Sequence, residues 1–246
     1  MPSKGSGTID RQVSTAIALL KRHATRRTLD GMARYGIPSH NAFGVSMADM
    51  RRIAKGLGRS HELAAGLWDT GRYEGRMLAT LIDEPGRVTA AQMDRWCQDF
   101  DSWAICDTAC FMLFDRTPHA WRKIAAWSGK RAEFSKRASF ALLASVALHD
   151  KFCDDAHFLK GLALVERAAE DERNFVKKGV SWALRSIGQR NPALHQAAVG
   201  LAKGLAASPD ATARWVGRDA LRDLMRAMVV RKVEARQKPK PRPKHS

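Results

Sequence analysis

The chain has 246 residues, enough for one large domain or a short helical array with a substantial core. Lys and Arg number 42 against 25 Asp and Glu, a formal charge of +17, of which the last sixteen residues, RKVEARQKPKPRPKHS, hold only +6. An excess spread through the body favours a polyanionic partner, nucleic acid before acidic membrane, and four cysteines with no Cys-x-x-Cys exclude a disulfide scaffold or a cysteine zinc set.

In chain order, MPSKGSGTID has no hydrophobic stretch behind its Lys, so no secretory signal is expected, and residues 1–8 read as an unstructured polar end. IDRQVSTAIALLKRHA then places Ile9, Val13, Ile17 and Leu20 on one helical stripe. MADMRRIAKGL, SHELAAGLW, TAAQMDRWCQDF, AHFLKGLALVERA and HQAAVGLAKGLAA repeat that habit. Gly71, Pro85-Gly86, Thr117-Pro118, Asn191-Pro192 and Ser208-Pro209 punctuate the stripes and imply about ten to twelve helices. No alternating β-branched run occurs, and no apolar run approaches the roughly 18 residues a membrane span needs. The expected architecture is all-α, one domain over residues 9–230, in a cytoplasmic protein. From 231 onward, alternate prolines in Lys-Pro-Lys-Pro-Arg-Pro-Lys forbid a continuous helix. That tail reads equally as a mobile basic arm for DNA or RNA and as a solubilising end.

The helices also repeat. Phe134-Ser-Lys-Arg-Ala138 recurs as Phe175-Val-Lys-Lys-Gly179 at an offset of 41, and Leu143 with Ser145 recurs as Leu184 with Ser186. This offset lies in the range of HEAT and armadillo units, two helices each, and predicts a curved solenoid.

Three predicted helices carry residues suited to chemistry. Trp103 and Asp107, four apart, share one helical face. Trp182 and Arg185, three apart, do the same behind Lys177 and Lys178, and a third helix offers Lys136 and Arg137. Periodicity alone does not separate these tryptophans from Trp68, Trp96 or Trp121, since a Trp in a helical stripe is usually core.

Four stretches do separate them. MARYGIPSHNAFGVSMADMRRIAK, SWAICD, WSGKRAEFSKRASFALL and FVKKGVSWALRSIGQRNP, in this order, resemble the AlkD-type DNA alkylation repair family, bacterial glycosylases built from HEAT-like repeats. The resemblance implies that Trp103 and Trp182 face a lesioned nucleotide and that Asp107 is the catalytic carboxylate. It further implies that Arg137 holds the phosphate backbone with help from Arg185, and that Tyr35 lies near the DNA. Lys136, Lys177 and Lys178 add backbone cations. One departure stands beside the catalytic pair: the family often has an acid directly after the Trp, where this chain has Ala104.

The implied activity is hydrolysis of the N-glycosidic bond of cationic N3- or N7-alkylpurines in duplex DNA, by a monomer without cofactor or metal. A strand-cleaving lyase would need a lysine amine with a lowered pKa, and none is singled out. Two other readings remain open: a non-catalytic protein binding damaged or branched DNA, and a HEAT-like adaptor for a protein partner.

Overall fold

A computed structural model of the chain describes residues 6–237. Among these residues there are fourteen α-helices and no strand, in agreement with the all-α expectation. The helices form two compact units, one reaching Lys123 and the other starting at Ile124. Residues 1–5 and 238–246, which include most of the expected tail, lie outside the described residues. No described helix is long and apolar enough to cross a membrane, and no described group of three His, Cys, Asp or Glu could hold a metal ion.

The first unit begins with α1 (Ser6–Arg22), three residues ahead of the expected start. Its Ile9 and Val13 pack over Gly66 of α4 (His61–Asp69), where an added Cβ would lie 2.7 Å from Val13. After the short α2 (Arg26–Met32), the helices α3 (Met47–Leu57), α5 (Tyr73–Ile82) and α7 (Trp103–Met112) pack in succession as one row. α4 pairs with α5 and α1 behind that row, and α6 (Ala90–Gln98) follows α5 in the chain. Side-chain caps start several of these helices: Ser46, Ser60 and Thr89 each accept the amide three residues on, satisfying one of the donors a helix start leaves open. The core centres on Trp68 and Trp96, whose rings stack at 3.9 Å and 2°. Trp68 Nε1 donates to Asp99 at 2.8 Å, so the buried indole keeps its polar atom satisfied.

The unit boundary falls within α8 (Ala120–Trp127). In the second unit, α9 (Glu133–His149), α11 (Asn174–Gly188) and α13 (Ala211–Leu224) form one row, with α10 (Asp155–Ala168) and α12 (Pro192–Ala206) as a second layer. α14 (Ala227–Glu234) closes the unit and buries Val229 and Val233, which carries helical structure past the expected boundary at 230. The two segments related by the offset of 41 are stacked neighbours. The Phe134 and Phe175 rings lie 5.3 Å apart, and Phe175 N donates to Glu133 Oε1 at 3.3 Å. The sequence repeat is therefore a spatial repeat, as helical arrays require for a continuous core.

The α12–α13 crossing depends on Gly217, where an added Cβ would meet Ala206 N at 2.4 Å and Ala202 O at 2.6 Å. Both are backbone atoms and cannot swing aside. Gly217→Ala is therefore expected to lower stability by about 1–3 kcal/mol, the usual cost of overpacking. Urea unfolding checks this, and an unchanged midpoint would show that the two helices separate freely.

Candidate functional site

Trp103, Asp107 and Tyr35 line one cleft of about 520 Å³ in the first unit. α7 opens with Trp103, so the indole stands at the mouth of the helix and Asp107 follows one turn later on the same face. Trp103 Nε1 donates to the carbonyl of Tyr35 at 2.7 Å, which pins the ring to the end of the turn after α2. Tyr35 itself is 68% exposed. Around them the wall is apolar and soft, with Met32, Met47, Met50 and Met77. Among the described lining residues Asp107 is the carboxylate and Arg51 the cation. Ala104, at the position where an acid was the family habit, is buried in the wall. A carboxylate there would lose its hydration, so alanine suits this version of the cleft.

The outer wall is the loop between Gly36 and Ser46, and a buried carboxylate holds it. Glu74, at the start of α5, is fully buried. Its oxygens accept the amides of Phe43 at 2.9 Å, Gly44 at 2.7 Å and Val45 at 3.1 Å. Three consecutive N–H groups thus converge on one anion, as in an anion-binding nest. Gly44 is required there: its φ is +89°, and a Cβ would fall 2.5 Å from Thr25 O. Next to Glu74, Tyr73 N donates to Asn41 O at 3.1 Å, and the Tyr73 phenol faces the cleft. Burial first, then the charges of Glu74 and Asp101, push that phenol up to about 12, so it stays neutral through the physiological range. Neither Glu74 nor Tyr73 stood out in the sequence, because their partners lie about thirty residues upstream in a loop with no helical period.

The remaining candidates belong to α9 and α11 of the second unit. Arg137 is only 7% exposed, and its Nη1 donates to Phe175 O at 2.6 Å, bracing one repeat against the next. Lys136 pairs with Asp171 at 2.9 Å. Arg173, donating to the same carboxylate, and then Lys136 hold Asp171 well below the usual carboxylate range. These two cations are thus already engaged by the protein. Farther along α11 the groups are more open. Trp182 and Arg185 are half-buried and Lys178 is exposed, while Lys177 Nζ lies 5.3 Å from the centroid of the Trp215 ring. Arg185 Nε approaches Asp219 at 3.8 Å, a long ion pair open to exchange.

An acid, an anchored indole and an electron-rich wall in one cleft suit stabilisation of a cation, and the cations of α11 in the second unit suit a phosphate backbone. Comparison with known proteins agrees with the helical-repeat reading. The chain is similar over 85% of its length, and 94% of the other's, to a solved member of "a new family of proteins related to the HEAT-like repeat DNA glycosylases with affinity for branched DNA structures", with a TM-score of 0.73 and 19% identity. That likeness shows a HEAT-like repeat fold. A designed armadillo repeat protein aligns over 91% of this chain and 95% of its own, at a TM-score of 0.38 and 11% identity. No curated protein matches the sequence. The model of the family described as DNA alkylation repair enzyme matches residues 16–224, so the chain belongs to the DNA alkylation repair enzyme family.

Proposed function

We propose that this protein excises cationic N3- and N7-alkylpurines from duplex DNA as a monofunctional glycosylase. The observation that carries the reading is the sharing of one cleft by Asp107 and the hydrogen-bonded Trp103. Alkylation at N3 or N7 leaves a positive charge on the base, so the base departs neutral and needs no general acid. As the bond from C1′ to nitrogen breaks, its electron pair goes to the base and positive charge develops on the sugar. A carboxylate beside C1′ stabilises that charge and orients the attacking water. The water oxygen then bonds to C1′, and its proton passes to Asp107 or to solvent. An indole face adds roughly 0.5–2 kcal/mol toward a cation, more when desolvated. Trp103 supplies one such face and Trp182 is assigned the other.

In this reading Lys177, Lys178 and Arg185 meet backbone phosphates, and Tyr35 lies against the DNA. Lys136 and Arg137 act through the local positive potential and by fixing the repeat that carries α11. Tyr73, a neutral phenol at the wall, offers a hydrogen bond without competing for the negative charge of Asp107. Binding rests on phosphate contacts and should therefore weaken steeply with salt. The protein acts as a monomer and without a cofactor.

The experiment is release of free 7-methylguanine from methylated duplex DNA by the purified protein, read by chromatography. Release above the spontaneous rate supports the glycosylase. No release, together with salt-sensitive binding to a four-way junction, would replace it with a non-catalytic binder of branched DNA, the affinity ascribed to the structurally similar protein.

A further inference from the structure

A second surface, on α13, has features that the cleft does not explain. Arg214, Arg218 and Arg222 recur every four residues and therefore share one face of this helix. Trp215 stands among them, 37% exposed, although its size would reward burial. These residues line an open cavity of about 410 Å³ in which Asp219 is the carboxylate. Asp219 is already occupied: it accepts from Ser181 Oγ at 2.6 Å and from Arg222 Nη2 at 2.5 Å. Arg214 turns to the carbonyls of Ser208 and Pro209. Arg218 is exposed and has no hydrogen bond or ion pair among the described residues. The opposite face of α13 is the packed one, with Ala213, Val216, Gly217, Ala220 and Leu224 buried, so the display of Trp215 does not come from a lack of core elsewhere.

We infer that this surface is a second DNA contact, which takes an unpaired nucleotide by stacking its base on Trp215 while Arg218 and Lys177 hold the flanking phosphates. It rests on DNA being the ligand in the proposed function, and not on the excision chemistry. The bases of a duplex hide their faces in the stack, so an exposed indole can be used by a base only where the strand is unpaired. Lys177 sits over the Trp215 ring in a cation–π contact. An incoming base replaces the ammonium on the ring, and the displaced ammonium is then within reach of the phosphate that arrives with the base. Cations outnumber the lining carboxylate, which supplies the charge complementarity that a polyanionic strand needs.

The test uses the full chain and labelled oligothymidine, a matched duplex and methylated duplex, with fluorescence anisotropy over a salt series and 7-methylguanine release in parallel. Trp215→Ala is expected to weaken oligothymidine binding about tenfold, as loss of a stacking platform does. Duplex affinity and release should be unchanged. Trp215→Phe should keep most of the oligothymidine affinity, and Arg218→Ala should lower the salt slope by about one phosphate contact. Unchanged oligothymidine binding in Trp215→Ala would overturn the inference. So would equal weakening of oligothymidine and duplex, which would make the surface a general phosphate contact, or a Phe variant as weak as the Ala variant. Failure of wild-type protein to release 7-methylguanine would count against the glycosylase alone and leave this comparison intact.

Discussion

Asp107→Asn is expected to lower single-turnover release of 7-methylguanine by about 100-fold or more, with duplex affinity held within a few-fold of wild type. The substitution keeps the shape of the side chain and removes its charge. Nothing in the cleft lining replaces that charge, since Asp107 is the carboxylate among the described lining residues and Ala104 stands where a second acid could have been. Loss of one preorganised electrostatic group at a developing charge costs about 2.7–4 kcal/mol, which is a factor of 100 to 1,000. In the proposed function, binding is assigned to the cations of α11 in the other unit, so it should survive. Full-rate release by the Asn variant would remove the carboxylate from the reaction. Equal loss of binding and release would instead make Asp107 a structural residue.

Glu74→Ala should destabilise the protein by about 2–5 kcal/mol, since a buried donor left without its acceptor costs about 1–3 kcal/mol. The variant leaves the amides of Phe43, Gly44 and Val45 without their shared acceptor, and two of these hydrogen bonds are buried. A burial penalty of this kind exceeds the loss of a surface ion pair several-fold. Glu74→Gln keeps one acceptor oxygen but turns an amide donor toward other donors, so it should recover part of the loss and no more. Urea unfolding followed by far-ultraviolet circular dichroism gives the comparison. An Ala variant within about 0.5 kcal/mol of wild type, the range of ordinary surface substitutions, would show that the loop finds its hydrogen bonds elsewhere.

The helical architecture was legible because periodic apolar stripes and Gly/Pro breaks are local signals. The short α2 and the terminal α14 were not, because seven or eight residues hold too few turns to display a period. The repeat between Phe134 and Phe175 was legible as similarity, and its spatial meaning, ring against ring, needed the fold. At the site, Trp103 and Asp107 could be paired from their spacing, since four residues on a helix bring side chains together whatever lies around them. Their choice over Trp68 and Trp96 came from family resemblance, and the structure separates them physically: the latter two are stacked in the core. Arg137 shows the opposite limit. A basic residue early in a helix reads as a surface cation, yet its guanidinium reaches sideways to a carbonyl 38 positions later. Such a contact depends on how successive repeats stack and leaves no trace in local pattern. Glu74 was invisible for the same reason, and Trp215 because an exposed indole and a buried one look alike in a stripe.

The parallel stacking of Trp68 on Trp96 has an optical consequence. Two indoles held face to face at 3.9 Å are close enough for their electronic transitions to mix, so the pair absorbs and rotates light as a coupled chromophore. Both rings belong to the first unit and both are buried, whereas Trp182 and Trp215 belong to the second. The near-ultraviolet ellipticity of the coupled pair therefore reports on the integrity of one half of the chain, while emission from the more exposed indoles of the other half responds to what touches them. Among seven tryptophans, the fold has sorted an internal gauge of its own packing from sensors that face outward.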